Sequence, residues 1–213
     1  PYALLYHYES KSRGLEDTPE KVERLLEAAS ETEARKLLTE CGYAEALPLE
    51  EALREHRETL YKELAAAVPD PRLIELFQLK YDYHNIKAIL KAERRGISPE
   101  AFLLPGGRYD AAQLQSEWQQ EHMFQVSDTA RRAAQEAAAL LRENDPQGAD
   151  LRLDAACYDE MRTLAEEMKS NFLQGYVRQL IDAANLRTAV RASRSGSSEV
   201  LPRALLEGGS VSP

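Results

Sequence analysis

The chain has 213 residues, of which 43% are hydrophobic and 30% charged, so it can bury a core and is not expected to be disordered. Its formal net charge of −9 argues against the basic surface that sequence-independent nucleic-acid binding needs, and we expect no nucleic-acid partner. No apolar run approaches the about 18 residues of a membrane-spanning helix, and the isolated Cys41 and Cys157 favour a reducing compartment.

Capping residues and Gly or Pro breaks divide the chain into a series of predicted helices. Their predicted ranges are, in chain order, 18–29 with Thr18 as cap, from Ser30 to the stop at Gly42, 49–67, 72–94, from Asp110, from Ser127 or Asp128, 154–169 and 171–194. No segment shows the alternation typical of strands. We therefore predict an all-α protein.

One helical segment recurs 100 residues later in the chain. Residues 81–92 read YDYHNIKAILKA and residues 181–192 read IDAANLRTAVRA. A turn recurs in the same order, because residues 103–111 read LLPGGRYDA and residues 205–213 read LLEGGSVSP. The repeat predicts two helical units, residues 1–107 and 108–213, and we expect a third unit after residue 213, which this chain does not include.

The recurring Asp-x-x-Asn pairs can be interpreted as chemical or as structural. His84 has no counterpart in the second copy, and Asp with Asn alone is a weak ligand set for a transition metal. Such a pair can hold neighbouring helices in a fixed register, since an unpaired buried polar group costs about 1–3 kcal/mol. We therefore interpret Asp82 with Asn85 and Asp182 with Asn185 as structural helix-register pairs, and we predict no catalytic, cofactor-binding or metal-binding residue.

Four arginines lie along the last predicted helix, namely Arg178, Arg187, Arg191 and Arg194. Their spacing places several of them on one side of the helix, so a partner contact is possible, and a solvated basic stripe explains the same pattern. The two Gly-Gly pairs lack the Lys and the spacing of a phosphate-binding loop, and we interpret them as turns.

The repeated segments also carry a resemblance to a known family. YDYHNIKAILKAE at residues 81–93 and IDAANLRTAVRA at residues 181–192 resemble the signature helix of the C-subunit family of V/A-type ATPases, whose eukaryotic member is called the d subunit. LLPGG at residues 103–107 resembles the turn between copies, and YALLYHYESKSRGLED at residues 2–17 is a looser match to the opening helix. The resemblance implies a funnel of three pseudo-threefold helical units, of which this chain would hold two.

The resemblance further implies a non-catalytic central-stalk adaptor of an ion-translocating ATPase. The funnel would lie on the cytoplasmic side of the membrane, as a peripheral part of the complex, and would couple the central shaft, made of the D and F subunits, to the membrane proteolipid ring. A freestanding α-helical repeat scaffold for protein–protein interaction is the alternative. A helical-bundle enzyme would need Glu-x-x-His pairs, which the sequence lacks. Without the third unit an apolar interface would be uncovered, so we expect this chain to self-associate.

Overall fold

The computed structural model describes residues 19–43, 48–120, 125–196 and 201–211. No strand occurs in these ranges, and the all-α prediction is confirmed. In chain order the helices are α1 (Pro19–Leu26), α2 (Glu31–Glu40), α3 (Leu49–Ala67), α4 (Arg72–Arg95), α5 (Ala111–Gln119), α6 (Asp128–Arg142), α7 (Pro146–Glu167), α8 (Asn171–Ser195) and α9 (Leu201–Ala204), with a 3-10 turn at Glu100–Phe102.

Side-chain caps begin several of these helices at the predicted positions. Ser30, Asp110 and Ser127 each accept a hydrogen bond from the backbone N–H three residues later, at 3.2, 2.9 and 3.1 Å. Each bond satisfies one of the N–H groups that a helix leaves unpaired at its start. These caps are confirmed, whereas Thr18 lies outside the described residues.

Helix α7 begins eight residues before the predicted start at residue 154. The Asp145 carboxylate accepts a hydrogen bond of 2.8 Å from the backbone N–H of Gly148, and Pro146 takes the first helical position. A proline costs little there, because its missing N–H would have had no partner within the helix. The segment that ends α6 is therefore also the start signal of α7.

The chain divides into two compact units, Pro1–Ile74 and Glu75–Pro213. In the first unit α1 packs on α2, and Arg24 pairs with Glu40 at 3.4 Å. The ring of Tyr43 lies 4.3 Å from that of His56, measured between centroids. The division into repeats at residues 1–107 and 108–213 concerns the sequence pattern and stays a prediction.

The core of the second unit lies between α4, α6, α7 and α8. The apolar stripe of α4 is buried throughout and consists of Leu76, Leu79, Tyr83, Ile86 and Leu90. Helix α6 turns a face of small side chains inward, which lets α7 pack closely against it. The buried residues of that face are Ala130, Ala133, Ala134, Ala137, Ala138 and Leu141.

Helix α7 runs antiparallel to α4. Lys87 pairs with Asp154 at 2.5 Å, and Lys91 pairs with Asp150 at 2.7 Å, so the numbering rises on one helix as it falls on the other. Half-exposed ion pairs of this kind contribute little stability, about 0–1 kcal/mol each. These ion pairs instead fix the position of α7 along the axis of α4.

Candidate functional site

The side-chain amide of Asn85 holds the loop that follows α4. Asn85 Nδ2 donates to the carbonyl oxygen of Leu104 at 2.8 Å, and the backbone N–H of Leu104 donates to Asn85 Oδ1 at 2.8 Å. Asn85 is fully buried, so these two bonds replace the water that its amide would otherwise bind. An amide suits this position because it donates and accepts at once.

The carboxylate of Asp82, one turn earlier, holds the next part of the same loop. Its Oδ1 accepts hydrogen bonds from the backbone N–H groups of Arg108 at 2.9 Å and Tyr109 at 3.4 Å. Its Oδ2 accepts a bond of 2.6 Å from Nε of the Arg108 side chain. The pair therefore fastens α4 to its own following loop, and a role in the register between helices stays a prediction.

The two glycines of the loop fit this arrangement in different ways. Gly106 has φ of +94°, a left-handed conformation that side chains disfavour. Gly107 lies so close to the carboxylate that an added Cβ would overlap Asp82 Oδ1. The Gly-Gly pair lies in the irregular loop between α4 and α5, and the second glycine is explained by the close approach of the carboxylate.

Arg108 lies between two carboxylates in the interior. Beside its bond to Asp82, its Nη2 lies 3.0 Å from Glu160 Oε1, close enough for an ion pair. Glu160 Oε2 accepts hydrogen bonds from Tyr83 Oη at 2.7 Å and from Ser127 Oγ at 2.8 Å. One cluster thus joins α4, its loop, the start of α6 and the middle of α7.

Burial and neighbouring charges both shift the pKa values of this cluster. It raises the pKa of Asp82 to about 6, although the Arg108 guanidinium and the backbone hydrogen bonds act in the opposite direction. Burial also raises the pKa of Tyr83, and the neighbouring Glu160 adds to that rise. Burial opposes the charge of Arg108, but Asp82 and Glu160 outweigh it and raise its pKa, so the arginine stays charged.

The same hydrogen bonds recur at the second copy. Asn185 Nδ2 donates to the carbonyl oxygen of Leu206 at 2.8 Å, and the Leu206 N–H donates back at 2.7 Å. Asp182 Oδ1 accepts from the backbone N–H groups of Ser210 at 2.9 Å and Val211 at 3.2 Å. We call the bonds of Asp82 and Asn85 lock 1 and those of Asp182 and Asn185 lock 2.

The glycines recur with the bonds, but the arginine does not. Gly208 has φ of +93°, and a Cβ on Gly209 would overlap Asp182 Oδ1. Ser210 stands where Arg108 stands in lock 1. Burial of the Asp182 carboxyl acts to raise its pKa, yet the hydrogen bonds from Val211 and Ser210 outweigh it and lower the pKa below its usual value.

The four arginines named from the sequence are all exposed on α8. Arg187 Nε donates to the carbonyl oxygen of Ala183 at 3.3 Å, one turn earlier on the same helix. Arg178 lies nine residues before Arg187, which places it on the opposite side of the helix. A partner contact by Arg178, Arg187, Arg191 or Arg194 stays a prediction.

The sequence interpretation missed Arg108 and Glu160. A signal was present, because Tyr83 and Arg108 both interrupt the repeat, and Ala183 and Ser210 stand at the corresponding positions. Both side chains contact the same carboxylate. The partner, Glu160, lies 77 residues from Tyr83 in the sequence, and no spacing rule relates the two positions.

In the described part of the chain, the other side chains that could take part in chemistry are placed as structural residues. Among those residues no group of three His, Cys, Asp or Glu is placed to hold a metal ion, and no helix is both long and apolar enough to cross a bilayer. His84 Nε2 lies 3.0 Å from the carbonyl oxygen of Phe102. Burial raises the pKa of the Cys157 thiol to about 12, which disfavours the reactive thiolate.

Comparison with known proteins shows which family this chain resembles. The family described as ATP synthase (C/AC39) subunit matches residues 17–213. The chain is 24% identical over 140 residues, 65% of its length, to the C subunit of a V-type sodium ATPase from Enterococcus hirae. It is 27% identical over 160 residues, 70% of its length, to the C subunit of an A-type ATP synthase from Pyrococcus horikoshii. The matched part is 43% of the length of each relative.

Proposed function

Because the chain belongs to the ATP synthase (C/AC39) subunit family, the C-subunit family of V/A-type ATPases, we propose that it acts as a non-catalytic central-stalk adaptor. In this role it couples the rotor shaft, made of the D and F subunits, to the membrane proteolipid ring of an ion-translocating ATPase. It lies on the cytoplasmic side of the membrane as a peripheral part of the complex. The names of the two relatives, each the C subunit of a rotary enzyme, support this assignment.

The observation that carries the proposal is the family match, which covers both Asp-x-x-Asn helices. A protein that transmits torque must be rigid, so its helices and loops must not move relative to one another. Lock 1 and lock 2 each bind a long helix, α4 or α8, to the loop that leaves it. A helix fastened in this way moves with its loop, and such stiffness suits a torque adaptor better than a flexible binding module.

Lock 1 adds a further stiff connection. The buried Arg108 ties the loop to Glu160 on α7, and Ser127 at the start of α6 bonds the same carboxylate. Ionic groups without water around them cost several kcal/mol when one partner leaves, so these elements separate only together. We infer that α4, α6 and α7 rotate as one body during turnover.

Co-purification tests the proposal. The complete protein, tagged in its own organism, is extracted from membranes with a mild detergent, and its companions are identified by mass spectrometry. We expect shaft subunits, proteolipid and catalytic ATPase subunits in fixed ratio, and none of them from an untagged strain. Recovery of unrelated soluble proteins alone would reject the adaptor role and leave the freestanding scaffold as the function.

A further inference from the structure

A cavity of about 660 Å³ lies beside α4, between the loop that follows it and α7. Its floor includes two small side chains of α4, the half-buried Ala88 and the buried Ala92. The ion pairs between α4 and α7 form one wall, and the loop forms the other. The lining residues of α4 run from His84 to Arg95, about 16 Å along the helix axis. The cavity is therefore a trough, and its volume is typical of sites for small ligands.

The loop wall of the trough exposes large apolar side chains. Ile97, Phe102 and Leu104 are 47%, 52% and 36% exposed, and all three line the trough. Single apolar side chains on a protein surface are ordinary, but three that line one cavity indicate a binding surface for an apolar group.

Hydrogen bonds hold the loop wall in place. The backbone N–H of Ile97 donates to the carbonyl oxygen of Ala92 at 3.1 Å, and that of Phe102 donates to the carbonyl oxygen of Pro99 at 2.8 Å. His84 Nε2 lies 3.0 Å from the carbonyl oxygen of Phe102, and lock 1 holds the next part of the same loop. The chain itself therefore sets the shape of the trough, and a ligand would not have to order the loop when it binds.

One cation of the trough has no carboxylate to neutralise it. Lys87 and Lys91 are paired with Asp154 and Asp150. Arg95, the last residue of α4, is exposed and forms no ion pair with any of the described residues. Its guanidinium therefore leaves one positive charge at the end of a trough that is otherwise apolar or balanced in charge, and a guanidinium binds a carboxylate well.

We propose that this trough binds a fatty acid, with its carboxylate on Arg95 and its alkyl chain laid along α4 toward His84. The chain lies on the alanine floor, against the apolar loop wall on one side. On the other side it contacts the methylene groups of the two lysines, whose ammonium groups are held by α7. The inference goes beyond the adaptor role and does not rest on it.

Charge and shape both favour this occupant. A single carboxylate matches the single unneutralised cation, and a group with two negative charges would be repelled by Asp150 and Asp154, which line the same trough. The volume spread over the length gives a mean cross-section of about 40 Å², about half that of a helix about 10 Å across. A partner helix therefore cannot enter the trough, whereas an extended alkyl chain can.

Calorimetric titration with decanoate tests the site, and decanol, the uncharged alcohol of the same chain length, is the matched ligand. We expect one decanoate to bind per chain and decanol to bind about tenfold more weakly, because it lacks the charge that pairs with Arg95. Arg95→Gln should weaken decanoate about tenfold and leave decanol unchanged. Arg178→Gln, at an exposed arginine that does not line the trough, should change neither affinity.

Two further variants test the position of the alkyl chain. Ala88→Phe fills the trough and should abolish the binding of both ligands. Phe102→Ala should weaken both about threefold or more, whereas Phe172→Ala, at an exposed aromatic that does not line the trough, should weaken neither. Phe102 is exposed, so its variant decides the question if Ala88→Phe does not fold.

Several results would overturn the proposal. These are the absence of saturable decanoate binding, equal affinity for decanoate and decanol, and equal effects of Phe102→Ala and Phe172→Ala. Any of them would leave the apolar loop wall as a surface for a protein partner.

Discussion

Lock 1 and lock 2 make the same hydrogen bonds in different surroundings. In both, an Asn closes a pair of bonds with a leucine backbone, and an Asp accepts from two successive backbone N–H groups. Lock 1 is buried beneath α7 and holds an arginine, whereas lock 2 is partly open to solvent and has Ser210 instead. The bond pattern follows from the local sequence, and the electrostatics follow from what covers it.

The contrast between the two locks shows how burial changes the electrostatics of the same Asp carboxylate. In solvent, a carboxylate that accepts backbone hydrogen bonds needs no counter-charge, and the pKa of Asp182 is lowered. In the interior the same carboxylate loses its hydration, and burial raises the pKa of Asp82 even beside Arg108. Lock 1 lies beneath α7, so its buried carboxylate is paired with the positive charge of Arg108. Lock 2 is partly open to solvent and has no such counter-charge.

Removal of the arginine should have the largest effect. Arg108→Leu leaves Asp82 and Glu160 buried without their cation, and we expect a loss of about 3–5 kcal/mol in the free energy of unfolding. Ser210→Ala, the matched change in lock 2, should cost about 1 kcal/mol or less. Urea unfolding followed by Trp118, the sole tryptophan, measures both. Equal losses of unfolding free energy would show that the burial of lock 1 beneath α7 does not contribute to stability.

The asparagines should rank next. Asn85→Ala removes a fully buried amide together with both of its hydrogen bonds to the backbone of Leu104, for a loss of about 3 kcal/mol. Asn185→Ala should cost about 1 kcal/mol in this chain, because the side chain of Asn185 is only partly buried. The same urea titrations give the comparison.

Substitution of the second glycine of each loop should have a smaller effect on stability. Gly107→Ala forces the loop away from Asp82, at an expected cost of about 1–3 kcal/mol, and Gly209→Ala should cost less because its loop can shift toward solvent. Gly175→Ala in α8 is the control, since no atom lies near its added Cβ and alanine favours a helix. Thermal unfolding should rank the three variants in that order, with the control neutral or slightly stabilised.

The two aspartates should respond to pH with opposite signs. The folded chain binds a proton on Asp82 more readily than the unfolded chain, so its contribution to stability falls as pH rises from the usual pKa of 3.8 to the folded pKa of about 6. Asp182 binds its proton less readily when folded, so its contribution is lost as pH falls through the acidic range. Carboxyl NMR titration measures both midpoints, and a higher midpoint for Asp182 than for Asp82 would contradict the comparison.

Much of this architecture can be predicted from the sequence because it is local. Capping residues mark helix starts at Ser30, Asp110 and Ser127, and the apolar stripe of α4 is visible in its spacing. The repeat alone also singles out both Asp-x-x-Asn pairs. Their partners are harder to predict, because an Asp-x-x-Asn pair bonds equally well to a loop or to a helix.

The remaining features depend on contacts distant in sequence. Nothing near Glu160 indicates that it meets Arg108, since the two are brought together only when α7 packs on α4. The start of α7 at Pro146 differs from the predicted start at residue 154 although its signal is local, because Asp-Pro both ends one helix and begins the next. The exposure of Leu186 and Val190 on α8, at positions that match the buried Ile86 and Leu90 of α4, likewise emerges only from the structure.

The adaptor role itself is tested most directly by coupling in membrane vesicles. Vesicles from cells that lack the complete protein are supplied with ATP, and ATP hydrolysis and ion uptake are measured together, before and after the purified protein is added back. We expect ATP hydrolysis without ion uptake when the protein is absent and restored ion uptake when it is added back, with Arg108→Leu less effective than Ser210→Ala. Full ion uptake in vesicles that lack the protein would contradict the adaptor role.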